Sequence, residues 1–137
     1  MKLYVDEPGH GALRRQAALV VSSLAAVEVP AAFWRKQRQG ELEGADAETL
    51  VAAFAVDLAG TERRAPRFAA IPPTAAVLER AAALCATDAL RAYDAVQLAS
   101  AAAAREADYE CDRFACFDQS LRSAAARSGF SLMPSTD

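Results

Sequence analysis

One stretch limits what this chain can become more than any other: Asp88-Ala-Leu-Arg-Ala-Tyr-Asp94-Ala-Val-Gln-Leu-Ala-Ser-Ala-Ala-Ala-Ala104. Ala and Leu dominate it, and it holds no Gly or Pro, so its backbone is biased towards helix. Asp88 reads as the N-cap, its carboxylate accepting from an amide of the first turn. Beyond that turn Leu90, Tyr93, Val96, Leu98 and the alanine run make the helix apolar nearly all round, and such a helix is expected to be buried. Asp94 sits in its middle. A carboxylate there is costly unless it is paired, hydrogen-bonded or bound to a metal. Arg91, three residues earlier, can pair with it across one turn. The helix alone does not choose between that pair and a metal site.

The flanking sequence alternates strand and helix signals. Leu19–Ser22 is a compact apolar run of strand character, and Ser22 or Ser23 is expected to cap a helix from about Leu24 to Arg38. Pro30 inside that helix removes the donor to the carbonyl of Ala26 and predicts a local kink. Gly40 ends it. A short helix is expected before the strand, at about Ala12 to Ala18. Ala45–Leu58 repeats Leu50, Val51, Phe54 and Leu58 on one face. Phe68–Ile71 is a second strand. Pro72-Pro73-Thr74 then opens a helix carrying Val77, Leu78, Ala81, Leu84 and Cys85, with Pro73 in the first turn. After the organising helix come a strand at Arg113–Phe117, a helix from Asp118 to about Arg127 closed by Gly129, and a strand at Phe130–Met133. This order predicts an α/β fold with a parallel sheet flanked by helices on both faces. Residues 1–133 read as one domain and 134–137 as a disordered tail.

Composition narrows the function classes. At 137 residues and 53% hydrophobic, the chain can build a real core. Its net charge of −3 gives no general affinity for nucleic acid, so such binding needs a local basic patch. Arg35-Lys36-Gln37-Arg38 and the trio Arg63, Arg64 and Arg67 are the two candidates. Both read first as solvated surface, the former as cations suited to a helix C-terminus, and second as contacts to RNA phosphates. Trp34 reads as packing, in the core or at a protein interface. Three cysteines without a CxxC pair fit a reducing compartment, with Cys85 a core thiol. The one histidine, His10, lies in a Gly-rich turn and leaves no His-built zinc site. With no apolar run long enough to span a membrane and no signal peptide, the chain reads as cytoplasmic.

Three acids fall near the carboxyl ends of strands, or in a helix expected to pack beside them, where open α/β sheets place ligands. Glu28 follows Leu19–Ser22, Asp118 directly follows Arg113–Phe117, and Asp94 is the acid of the apolar helix. Singly, Glu28 reads as a solvent-facing helix residue and Asp118 as an N-cap. Together they suggest a carboxylate cluster that repels itself without a divalent cation, and oxygen-only ligands favour Mg²⁺ or Mn²⁺.

Local strings sharpen this. Arg91, Tyr93, Asp94, Ala95, Leu98, Ala99 and Ala101 match in order the R-x-Y-D-A-x-x-L-A-x-A helix of the PIN-domain nucleases, in particular the VapC-type toxins. Phe117-Asp118-Gln119-Ser120-Leu121 resembles that family's F-D-x-x-L strand end. Val21-Ser22-Ser23-Leu24-Ala25-Ala26-Val27-Glu28-Val29 resembles its T-S-x-L-x-x-x-E-V segment, with Val21 in place of Thr. Met1 to Gly9 resembles the V-K-L-Y-x-D-E-P-G run.

The resemblance implies a PIN-like three-layer fold and a metal-dependent endoribonuclease toxin. Glu28, Asp94 and Asp118 are carried over as catalytic residues and as direct or water-mediated ligands of Mg²⁺ or Mn²⁺, with Ser22 or Ser23 near the site and Asp112 a weaker alternative to Asp118. It also implies an RNA substrate, neutralisation by a cognate antitoxin protein, and a homodimer. One departure matters. The family opens with a strand ending in D-x-S, whose Asp is its first metal ligand, and this chain opens after it. The first strand of the sheet is therefore expected to be missing, and Asp6 is no substitute. Burying about four apolar side chains on such a strand is worth roughly 5–10 kcal/mol, comparable to the stability of a small domain. The alternative function is therefore a catalytically impaired PIN-like domain acting only through protein binding. A response-regulator receiver is a third, unrelated Mg²⁺ fold, but the acid pair, phospho-acceptor and Lys it needs are not found.

Overall fold

The computed structural model describes residue 4 and residues 19–135. The expected helix at about Ala12 to Ala18, the Asp6–Gly11 turn and His10 lie outside the described residues. The described chain runs β1 (Leu19–Ser22), α1 (Ala25–Arg38), α2 (Gly44–Ala59), β2 (Phe68–Ile71), α3 (Ala75–Asp88), α4 (Ala92–Ala107), β3 (Arg113–Ala115), α5 (Gln119–Arg127) and β4 (Ser131–Met133). It is a mixed α/β protein. Every expected element after residue 18 is present, most within two residues of its expected bounds.

The sheet differs from expectation. Among the described residues the four strands pair in parallel and form two pairs, not one sheet. β1 pairs with β2, Leu19 opposite Phe68 and Ser22 opposite Ile71. β3 pairs with β4, Arg113 opposite Ser131 and Ala115 opposite Met133. Among the described residues no strand joins β1–β2 to β3–β4. The strands are three or four residues long, enough to hold one neighbour in register but not to fix a sheet's order by their own pattern.

Two apolar clusters hold these elements. Phe33 of α1, Phe54 of α2 and Phe68 of β2 form one, with Leu19, Val21, Leu50, Val51 and Leu58 around them. Strand alternation explains why Leu19 and Val21 share that side. Tyr4 stands edge-on to both Phe33 and Phe54, with ring centroids 5.9 Å away in each case. The larger cluster is centred on α4. Ala95, Val96, Leu98 and Ala99 pack with Val77 and Ala81 of α3, Phe114 of β3, Leu121, Ala124 and Ala125 of α5, and Phe130. Leu24 and Ile71, at the ends of β1 and β2, reach the same cluster. Helix α4 thus touches both strand pairs and is the element through which they share a core.

The organising helix begins later than its composition suggests. Asp88 is the last residue of α3, not the N-cap of α4. Ala89 takes a left-handed conformation, φ 52°, and turns the chain, and Arg91 becomes the N-cap. Asp88 is held instead by Arg127, whose Nε donates to its carboxylate at 2.9 Å. Thr74 caps α3 by accepting from the amide of Val77, so Pro73 precedes the cap and is not in the first turn. Two apolar residues expected inside, Leu78 and Tyr93, are exposed. No helix among the described residues is long and apolar enough to cross a membrane.

Arg122 is the main surprise of the core. This buried guanidinium donates to the carbonyls of Cys116 at 2.8 Å, Met133 at 3.2 Å and Pro134 at 2.9 Å. It ties the ends of β3 and β4 to α5. Pro134, the first residue of the tail expected to be disordered, lends its carbonyl to this guanidinium, and residues 136–137 lie outside the described residues.

Candidate functional site

The three acids arrive by the same local device. Glu28 lies in the first turn of α1, just beyond β1. Asp94 lies in the first turn of α4, not in mid-helix. Asp118 is the N-cap of α5, directly after β3, and its Oδ1 accepts from the amide of Leu121 at 2.9 Å. Each carboxylate thus sits at a positive helix end, which offsets part of its desolvation. Asp118 fills the structural role expected of it taken singly, and its side chain stays exposed.

Asp94 links the other two electrostatically. Burial lifts its carboxyl above the ordinary aspartate value, the charge of Asp118 lifts it further, and Arg91 partly offsets both. Of the two readings the helix left open, the ion pair is not formed: among the described residues no salt bridge joins Arg91 to Asp94. Burial also lifts the Glu28 carboxyl, the Asp94 charge adds to this, and Gln97 opposes it. Gln97, one turn after Asp94, donates from Nε2 to Glu28 Oε2 at 2.9 Å. Cys116 stands in the same field: burial raises its thiol first, and Asp118 and Asp94 add to it. Its Sγ lies 3.7 Å from the carbonyl of Asp118.

Other residues weighed from the sequence fall as follows. Ser22 is buried and its Oγ accepts from the amide of Leu24 at 3.3 Å, while the amide of Ser23 donates to Ile71 across the pair. Asp112 precedes β3, at the opposite end of that strand from Asp118, and is exposed. Arg64 and Arg67, considered for RNA phosphates, instead face Asp57, a buried acid of α2 that the Tyr4 hydroxyl also reaches at 2.6 Å. Gln97 and Arg122 were missed by sequence reasoning. Gln97 had a legible signal, since it lies three residues after Asp94 on the same helix face.

The donor chemistry suits a hard divalent cation, since each of the three side chains offers carboxylate oxygens. The spacing is looser than a formed metal centre. Among the described residues no three His, Cys, Asp or Glu side chains stand close enough to hold one ion. The arrangement is a run of acids centred on Asp94, with Glu28 fixed by an amide and Asp118 fixed by its cap.

Compared with known proteins, the chain matches no family model and no curated protein.

Proposed function

We propose that this protein is a metal-dependent endoribonuclease of the PIN type, a VapC-like toxin, with Asp94 at the centre of its site. The observation that carries the reading is Asp94 itself: a carboxylate at the start of a mostly buried helix, raised by burial and within the field of acids from two other helices. The Asp118 charge adds to the cost of ionising a half-buried Asp94, a cost that a divalent cation would offset. The family strings quoted above fall on these same positions.

In this reading Asp94, Asp118 and Glu28 would hold the cation, directly or through water, with Glu28 oriented by Gln97. When bound, Mg²⁺ or Mn²⁺ supplies Lewis-acid charge at the scissile phosphate and lowers the pKa of a water. The protein's own groups do the rest. Gln97 keeps the Glu28 oxygens from turning to solvent. The cap bond to Leu121 fixes the Asp118 rotamer. Arg122 holds the β3 and β4 ends that carry Asp118 into place. A cognate antitoxin and a second copy of the chain are the partners that belong to this reading, as is a cytoplasmic location.

A second reading takes up one pair of observations: among the described residues the acids do not form a three-ligand group, and the strands stand as two pairs. Both suit a PIN-like domain that no longer cleaves and acts by binding a protein.

Cleavage of RNA in Mg²⁺ or Mn²⁺, against an EDTA control, separates the two. For a nuclease, Asp94→Asn lowers the metal-dependent rate by about 100-fold or more with the circular dichroism unchanged. Metal-dependent cleavage that survives Asp94→Asn overturns the site. No cleavage by the unsubstituted chain favours the second reading.

A further inference from the structure

Tyr4 meets the body of the protein through side chains distant in sequence. Its ring lies edge-on to Phe33 of α1 and to Phe54 of α2, with centroids 5.9 Å away in each case, a favoured aromatic geometry. Its hydroxyl donates to the buried Asp57 at 2.6 Å, across 53 residues. Asp57 does not need Tyr4 to balance its charge, since Arg64 and Arg67 both face its carboxylate. What the phenol adds is a ring against two ring partners and one further donor at its end. Burial first, and then the bond to Asp57, hold that hydroxyl protonated far above the ordinary tyrosine value, so it stays a donor at every physiological pH. Tyr4 is only partly buried, so a small molecule can reach the place that it fills.

The same apolar cluster holds the start of α1. Ala25, Val29 and Phe33 follow one another at four-residue spacing, which puts them on one face of the helix, and all three belong to the cluster that Tyr4 joins. Glu28 precedes Val29 and is held from α4 by Gln97. Pro30 lies between Glu28 and Phe33. It removes one backbone hydrogen bond of the helix, so side-chain packing has the larger share in fixing the first turns. The Tyr4 contacts and the Gln97 bond are thus two holds on one short helix.

We propose that Phe33, Phe54 and Asp57 form a tyrosyl-binding seat, that Tyr4 is its occupant, and that the seated ring sets where α1 presents Glu28. The ligand class is a para-substituted phenol: the two phenylalanines select an aromatic ring, and the acid selects a hydroxyl at its far end. Tyr4 is a positioning residue, acting on Glu28 through α1. Such a seat needs no cation and no RNA, so the nuclease reading can fail without it, and it can fail without the nuclease reading.

The test empties the seat and refills it. The side-chain amide signals of Gln97, assigned through Gln97→Leu, report the bond to Glu28 by NMR. p-Cresol, the tyrosine side chain as a free molecule, is titrated against toluene. Tyr4→Ala moves the Gln97 signals away from their positions in the parent, and p-cresol returns them. p-Cresol binds Tyr4→Ala about 10-fold or more tightly than toluene does, the ratio that a hydrogen bond to a charged acceptor carries, and leaves the parent signals in place. Tyr4→Phe keeps the ring and loses the donor, so its Gln97 signals move in the same direction by a smaller amount. The proposal is overturned if the Gln97 signals of folded Tyr4→Ala coincide with those of the parent, or if p-cresol fails to bind or binds without restoring them. It is also overturned if toluene restores them as well as p-cresol, or if p-cresol shifts the parent as it shifts the variant. Where Tyr4→Ala does not fold, Tyr4→Phe carries the test, since Arg64 and Arg67 still face Asp57 in it, and unmoved Gln97 signals there overturn the proposal.

Discussion

Gln97 of α4 donates its side-chain amide to Glu28 of α1 at 2.9 Å, joining two helices through residues 69 apart in sequence. The bond opposes the effect of burial on Glu28, which is otherwise pushed towards the protonated form. Gln97→Leu removes that opposition. The Glu28 carboxyl then titrates at a higher pH than in the parent, followed by carbon-detected NMR of the side chain. An unchanged titration would mean that the amide does not govern this carboxylate.

The two raised carboxyls make a pH-dependent liability in the metal-free protein. A group whose folded pKa exceeds its unfolded value binds its proton more tightly when folded, so stability falls as pH rises between the two values. Asp94 and Glu28 are both raised. In EDTA, Asp94→Asn therefore melts higher than the parent at pH 7. The two melting curves converge below the ordinary aspartate value of 3.8. A substitution that lowers the melting temperature at pH 7 would show that Asp94 is engaged in stabilising contacts instead.

Arg122 serves three carbonyl oxygens from a buried position. Arg122→Met leaves those acceptors without a donor and costs about 2–4 kcal/mol in urea denaturation. Arg122→Lys recovers little, because an ammonium cannot spread donors across the planar fork that the guanidinium fills. Full recovery by Lys would mean that charge, not donor geometry, is what the site needs.

Ser100 of α4 is 1% exposed and its Oγ has no hydrogen-bond partner among the described residues. Removing an unsatisfied hydroxyl is neutral or favourable. Ser100→Ala is expected to leave stability unchanged or raise it by up to about 1 kcal/mol. A clear loss on chemical denaturation would reveal a partner for that hydroxyl.

How far the chain could be read depended on the range of the interaction. Local signals carried well: Leu50, Val51, Phe54 and Leu58 do share a packed face, and Asp118 does cap the helix it opens. Where two local signals competed, the sequence misled. Asp88 has the chemistry of a cap, but the left-handed turn at Ala89 gives that position to Arg91. Long-range partners were not legible. Nothing in Arg64 or Arg67 announces Asp57, a buried acid that pairs with both while Arg64 stays exposed. The placement of Asp118 at a helix start followed from strand–helix alternation, whereas Asp94 was expected in mid-helix, and the Gln97 bridge to Glu28 required α4 and α1 to be seen side by side.

The two strand pairs and the helix between them also set the mechanics of the acids. Glu28 follows β1 and travels with one pair, Asp118 follows β3 and travels with the other, and Asp94 rides on the helix that touches both. The acids therefore straddle a seam. No strand bond among the described residues links the two pairs, so a rotation of one half against the other would leave the described strand bonds intact and still change the gap between the outer carboxylates. Whatever binds across that seam, whether cation, nucleic acid or protein, acts as a brace, and the spacing of the charges is the quantity it tightens.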